Sequence, residues 1–523
     1  MHYIRLYTAV LAVLTAVHAS SIPRPISCSS LLEVTVSSGV QVLTSVDVAA
    51  GALSVPSYSG GTILNSFPLC HLSGSIKYGA DGLTLAANGA NTLTWELYLP
   101  VTANYNGRFM VVGDSGYAGS IDTTTMMTEF NLGYAVAGSD GGHSLAETGN
   151  ATYASFMTDV AQLKAWIHNS IAITTPTVRA LATLYYAASP KYSYYYGCST
   201  GGAQGYAVAS LYPDLFDGIY AGSPGNWYSH LILSFLWNAL HTQGNGSMSQ
   251  DALNFITTKV LAACDALDGV NDNLIENPSE CKFDITSLKC KSGQSATSSG
   301  TTVCLTAAQV KAAEAVYAGP KNTLTGKEIY PGFALGSEKA WLLQETTLYK
   351  EFSELILKEV VFNDSNYNIS TFNFGSDVSK ADSIASPLID SINPSLSSFE
   401  ARGGKLITTQ GWADAYNAPT WPIEFLEQIN AARLTDENSE FIQVYMVPGG
   451  GHCGPTSAYP HVPGTYDVLD SLVPWVEKGI VPTQMLSTGA IDGTNATRKL
   501  CPYPQNAKYV RGSIDDWTSY TCA

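Results

Sequence analysis

The sequence predicts an α/β fold: a mostly parallel sheet, covered on both faces by helices and interrupted by one large insertion. Three observations carry this reading. Strand and helix signals alternate between residues 107 and 224, the pattern of parallel strands joined by crossover helices. The rhythm breaks after Trp227, in a Ser-, Asn- and Thr-rich stretch that runs to about Arg402. It resumes at Lys405. The chain has 523 residues, enough for one large α/β domain plus an insertion. Only 13% of them are charged and 11% are aromatic, which fits a packed globular chain and excludes a disordered one.

The elements follow in order. GRFMVV (107–112) is an apolar strand that runs into the turn GDSGYAG. GYAVAG (133–138) is a second strand, ending at SDGGH. Thr175-Pro176 reads as a helix start, with Val178, Leu181 and Tyr185 recurring on one face. YSYYY is the next strand, followed by a Gly-rich turn and a helix over 205–212. GIYAGSP (218–224) is another strand. After the insertion, KLITTQG (405–411) and FIQVYMVPGGG (441–451) restore the strand signal. A closing helix covers 468–476, apolar at 468, 469, 472, 473 and 476.

The turn after YSYYY carries the chemistry. Gly197-Cys198-Ser199-Thr200-Gly201 matches G-x-S-x-G, the strand-to-helix turn that exposes a nucleophilic serine. A serine hydroxyl needs a histidine base, and the histidine needs an orienting carboxylate. In the α/β-hydrolase arrangement the chain order is Ser, then Asp or Glu, then His. Of the histidines after Ser199, His230 and His241 fall at the start of the insertion and His461 in a Pro-rich loop. His452 stands just past an apolar strand, where such a base belongs. KLITTQG leads into Trp412-Ala413-Asp414, so Asp414 is the candidate acid. Asp436 and Glu437 are rivals in a polar turn. A plain turn aspartate is the bland reading of Asp414. The oxyanion donors are expected to be two backbone N–H groups: that of Thr200, and one from GDSGYAG, Asp114 or Ser115.

The N-terminus fixes how the cysteines read. His2 and Arg5 precede an apolar run from Leu6 to Val17, with small residues around Ala19. That layout is a secretory signal peptide over residues 1–19. No later run approaches ~18 apolar residues, so no membrane span is expected. The C-terminal DDWTSYTCA is too polar for a lipid-anchor signal. A net charge of −17 argues against a nucleic-acid partner. The ten cysteines are an even count in an oxidising compartment, and imply disulfides. Local spacing pairs Cys264 with Cys281, Cys290 with Cys304, and Cys501 with Cys522, which leaves Cys28, Cys70, Cys198 and Cys453. Cys198 precedes Ser199 and Cys453 follows His452. A Cys198–Cys453 bond, holding their Cα atoms ~5.5 Å apart, would staple base to nucleophile. Sequons stand at Asn150, Asn245, Asn363, Asn368 and Asn495, as in secreted glycoproteins.

Taken together, GCSTGG around Ser199, the Cys-Ser and His-Cys pair, GWAD at Asp414 and DLFDGIYAGSP downstream of the serine resemble the secreted fungal tannase/feruloyl esterase family. The resemblance spans nearly the whole mature chain. It implies an α/β-hydrolase domain (20–227 plus 403–523) with a large inserted lid (228–402). It implies a Ser199, Asp414, His452 triad with Cys198 bonded to Cys453, and no organic cofactor. It also implies a structural calcium in the lid, on Asp265, Asp268 and Asp272 with the carbonyls of Val270 and Leu274. The expected substrates are aromatic acid esters. The feruloyl branch, acting on hydroxycinnamoyl esters of plant cell walls, fits better than the galloyl esters of tannins. Phe235, Trp237 and Trp341 are candidates for an acyl pocket. A non-catalytic, wall-binding protein on the same fold is the competing class. The oligomeric state, monomer or homodimer, is left open. The chain departs from the family at GDSGYAG, where a run of glycines is common, at Ala203, where Arg is common, and at Gln410, where His is common. The last two departures are expected to matter less, since neither position holds a triad role.

Overall fold

The computed structural model describes residues 25–144, 153–433 and 440–523. The expected signal peptide, the sequon at Asn150 and the rival acids Asp436 and Glu437 lie outside the described residues.

Nine strands build the central sheet. They are β1 (Val40–Val48), β2 (Leu69–Tyr78), β3 (Asn91–Pro100), β4 (Arg108–Val112), β5 (Ala135–Ser139), β6 (Tyr192–Cys198), β7 (Gly218–Gly222), β8 (Lys405–Gly411) and β9 (Ile442–Val447). The spatial order is β1-β2-β3-β5-β4-β6-β7-β8-β9. From β5 to β9 every neighbour runs parallel. At the other edge β1, β2 and β3 pair antiparallel, and β3 joins β5 antiparallel. The parallel part is the sheet that the sequence rhythm predicts. The antiparallel edge was not read in advance. Its strands alternate, with Leu93, Trp95 and Leu97 of β3 buried on one face, but no helix separates them to mark the units.

Helices cover both faces. Among the described residues the α-helices of eight or more residues are, in chain order, α1 (Thr123–Phe130), α2 (Ser170–Tyr186), α3 (Thr200–Leu211), α4 (Tyr228–Thr242), α5 (Gln250–Cys264), α6 (Ala307–Ala318), α7 (Trp421–Ala432) and α8 (Val468–Lys478), with α4 to α6 in the segment between β7 and β8. Alternation within each strand divides the core. Phe109 and Val111 of β4, with Tyr195 of β6, join Leu181 of α2, Tyr206 of α3 and Phe425 of α7 on one side. Met110 and Val112 of β4, with Tyr194 of β6, join Met126 of α1 and Leu472 and Trp475 of α8 on the other. Helix α2 begins before the expected start, and Pro176 lies inside it. Beside it, Thr175 Oγ1 donates back to the Ile171 carbonyl at 2.6 Å.

Between β7 and β8 the chain leaves the sheet, as the broken rhythm predicts. Ile232, Leu233 and Leu236 of α4 pack with Tyr117, Trp166 and Ala203 of the sheet region in one shared cluster. Helices α5 and α6 form a second cluster around Trp341. Among the described residues no helix is long and apolar enough to cross a membrane.

Candidate active site

Three loops at the C-terminal ends of parallel strands meet at one point, where α/β sheets place their chemistry. The first is the turn after β6. The strand ends at Cys198 and α3 starts at Thr200, so Ser199 alone makes the corner. Its φ of 64° and ψ of −119° lie where a side chain is strained, at a cost on the order of 1–3 kcal/mol. The neighbouring glycines are a packing requirement. A Cβ on Gly197 would meet the Gly201 carbonyl oxygen at 2.5 Å, and one on Gly202 would meet the Gly222 carbonyl oxygen at 2.3 Å.

The second loop follows β8. Asp414 is fully buried. Its carboxylate accepts from the backbone N–H of Tyr416 at 2.7 Å and of Asn417 at 3.0 Å, and from Gln410 Nε2 at 2.8 Å. Asp414 therefore does cap a turn, and that cap aims its carboxylate. The third loop follows β9 and carries His452. Its Nδ1 stands 2.8 Å from Asp414 Oδ2 and 3.0 Å from Oδ1, and its Nε2 stands 2.8 Å from Ser199 Oγ. A carboxylate only accepts, so Nδ1–H donates to Asp414 and Nε2 accepts the serine O–H. The Tyr416 ring stacks on the imidazole at 4.4 Å. The disulfide Cys198–Cys453 holds its Cα atoms 5.9 Å apart and ties the first loop to the third. Ser223, after β7, joins the same node: its N–H donates to the Thr409 carbonyl and its Oγ accepts from Cys453 N.

The other cysteines pair as 264–281, 290–304 and 501–522, with Cys28 bonded to Cys70. Asn245, Asn363, Asn368 and Asn495 are exposed. One expected oxyanion donor is corrected. The Asp114 N–H donates to Gln204 Oε1 at 2.9 Å, so that donor is already engaged within the protein. Ser115 is the remaining candidate of the two, beside Thr200. Gln410 stands outside the Ser199–His452–Asp414 line but touches the acid directly.

The 265–274 loop does not gather its carboxylates as expected. Asp265 accepts from the N–H groups of Asp272 and Asn273, and Asp272 Oδ2 pairs with Arg498 at 3.0 Å. Among the described residues, no group of three or more His, Cys, Asp or Glu side chains stands ready to hold a metal. Asp268 Oδ2, however, is buried without a hydrogen-bond partner. Of the aromatic candidates, Phe235 touches Phe352, whose ring also contacts Tyr416 and Tyr117. Trp237 packs on Phe374, and Trp341 on Tyr317, in clusters of the insertion. The sequence reading missed Tyr416, Phe352 and Tyr117, which carry no motif.

Comparison with known proteins agrees with this geometry. The family model "Tannase and feruloyl esterase" matches residues 83–523. An uncharacterized esterase of Xanthomonas campestris is 30% identical over 99% of this chain and 94% of its own length. A probable feruloyl esterase B of Aspergillus niger is 32% identical, covering 84% of this chain and 85% of its own. The crystal structure of feruloyl esterase B from Aspergillus oryzae superimposes with a TM-score of 0.82 at 26% identity, over 95% of this chain and all of that one. A parallel sheet with a Ser–His–Asp line at its C-terminal edge, and a match to that family from residue 83 to the last residue, lead to one conclusion: the chain belongs to the tannase and feruloyl esterase family of carboxylic ester hydrolases.

Proposed function

We propose that the chain is a secreted serine esterase that cleaves hydroxycinnamoyl esters, such as feruloyl esters of plant cell-wall polysaccharide, through an acyl-serine. The observation that carries the serine mechanism is the hydrogen-bonded line from Ser199 Oγ through His452 to Asp414. His452 Nε2 takes the Ser199 proton as Oγ attacks the ester carbonyl. Asp414 holds the ring and stabilises the imidazolium that forms. The N–H groups of Thr200 and Ser115 receive the oxyanion. His452 returns the proton to the leaving alcohol, then activates the water that frees the acid. The substrate class is supported by the relatives named feruloyl esterase B, at 29–32% identity over 84–89% of this chain. A serine bonded to its base argues against a purely wall-binding role.

The segment 228–402 serves as the lid over this site. Secretion is supported by the five disulfides. A calcium ion in the lid would be held by Asp265, Asp268 and Asp272 with the carbonyls of Val270 and Leu274, and would stiffen that loop. The partnerless, buried Asp268 Oδ2 supports it. Chelation should then lower the thermal midpoint, and added calcium should restore it. No bound calcium by elemental analysis, with no shift on chelation, rejects that part.

The central test compares initial rates on methyl ferulate, methyl caffeate and methyl gallate, with Ser199→Ala as control. Cleavage of the cinnamates and little of the gallate supports the reading. The reverse makes the enzyme a tannase. No Ser199-dependent rate on any of them removes the substrate class.

A further inference from the structure

Gln204 lies one turn after Thr200 on α3, so both side chains leave the helix on the same face. That face meets the 113–117 loop. Gln204 is fully buried, and every hydrogen-bonding position of its carboxamide is taken. Oε1 accepts from Asp114 N at 2.9 Å and lies 3.0 Å from the Tyr195 hydroxyl, whose single proton it shares with the Gly201 carbonyl at 2.8 Å. Nε2 donates to Asp114 Oδ2 at 2.8 Å and to the Trp166 carbonyl at 2.7 Å. One amide thus grips both the backbone and the side chain of Asp114. Two residues on, the Gly116 carbonyl accepts from Thr200 Oγ1 at 2.8 Å and from Trp166 Nε1 at 3.0 Å. Ser115 stands between these two pins. The loop also lies hard against the helix start: a Cβ on Gly201 would meet the Asp114 carbonyl oxygen at 2.8 Å.

We propose that Gln204 is a positioning residue for ester hydrolysis: its carboxamide clips Asp114 and so fixes the Ser115 N–H relative to Ser199 and Thr200. This rests on the oxyanion reading given under Proposed function. The physical need is plain. A donor aimed at the developing oxyanion accelerates only if it is already in place, and losing one such donor costs about 10²–10³ in kcat. Burial pushes the Asp114 carboxyl well above the usual carboxylate range, which disfavours a negative charge beside the oxyanion.

The test measures kcat and KM on methyl ferulate from pH 5 to 8, with thermal midpoints, for wild type, Gln204→Met, Gln204→Glu and Ser199→Ala. Gln204→Met keeps the volume and removes the clip. Its kcat should fall about 30- to 100-fold at every pH with KM within about twofold. Gln204→Glu keeps an acceptor for Asp114 N–H and, when protonated, one donor. Its kcat should lie within about fivefold of wild type at pH 5, then fall toward Gln204→Met as the paired buried carboxyls lose a proton. A folded Gln204→Met with kcat within twofold of wild type overturns the proposal. So does a pH-independent loss in Gln204→Glu equal to that in Gln204→Met, which would mark a structural role only. If Gln204→Met does not fold, the pH profile of Gln204→Glu decides. An active Ser199→Ala would refute the serine reading itself; an inactive one beside normal Gln204 variants refutes the clip alone.

Discussion

At the residue scale, Asp414 shows how a buried carboxylate is aimed. Four donors converge on it: His452 Nδ1, Gln410 Nε2 and two backbone N–H groups. Removing Gln410 leaves Oδ2 to the imidazole alone. A hydrogen bond to a charged group is worth about 1.5–3 kcal/mol, and part of that is recovered by relaxation. Gln410→Leu should therefore lower kcat about tenfold with little change in KM, while Gln410→His, which retains an N–H donor, should stay within about threefold. Steady-state kinetics on methyl ferulate decide it; equal rates for all three would mean that the backbone donors suffice. The contrast with Ser199 explains what a sequence reveals. Nucleophile, base and acid were legible because the chemistry restricts residue type, order and turn. Gln204 and Gln410 were not, because an amide side chain is read only through its partners. The same limit applies to Asp114: GDSGYAG names a loop, but that the Asp114 N–H is engaged by Gln204, ninety residues away, is visible only in the fold.

At the element scale, α1 carries an unusual charge. Glu129 is buried among Met126, Met127 and Phe130, and its Oε2 has no hydrogen-bond partner. Burial raises its pKa from 4.5 to about 8. The sign follows from the acid form being the one the fold prefers. Below pH 4.5 folded and unfolded chains both hold the proton, and Glu129 makes no difference. Between 4.5 and about 8 only the unfolded chain releases it, so stability declines as pH rises, by roughly 3 kcal/mol at pH 7. Glu129→Gln should then be more stable than wild type by about 3 kcal/mol at pH 7 and equal to it at pH 4. Denaturant midpoints at the two pH values test this; an equal gain at both would show that ionisation is not the cause. The parallel strands were legible at this scale because each is followed by a turn or helix signal. The antiparallel strands β1–β3 lacked such punctuation, and the start of α2 was hidden by a proline that tertiary packing accommodates.

At the scale of the whole molecule, the site is assembled from loops far apart in sequence, and the insertion lies between them. Ser199 follows β6, while Asp414 and His452 arrive only after the chain returns at β8. The sheet brings these loops near each other, and the bond between Cys198 and Cys453 ties two of them across a separation of 255 residues. That pair was legible because each cysteine adjoins a reacting residue; the Cys28–Cys70 pair, which ties the N-terminal turn to β2, offered no such cue. A cross-link of that span stabilises by about 5.5 kcal/mol in the chain-entropy model, an upper figure for a real bond. The disulfides 264–281 and 290–304 shorten the enclosed loop and trim the figure. Replacing Cys198 and Cys453 together with alanine should therefore cost about 2–5 kcal/mol. If the bond also orients the site, kcat should fall by about tenfold or more at a temperature where the variant is still folded, because Ser199 and His452 each lose an anchored neighbour. The separation of the two effects is the point of the measurement. A folded double variant with normal turnover would assign the bond to stability alone, and would leave the sheet and the Asp414 turn as sufficient to hold the base against its nucleophile.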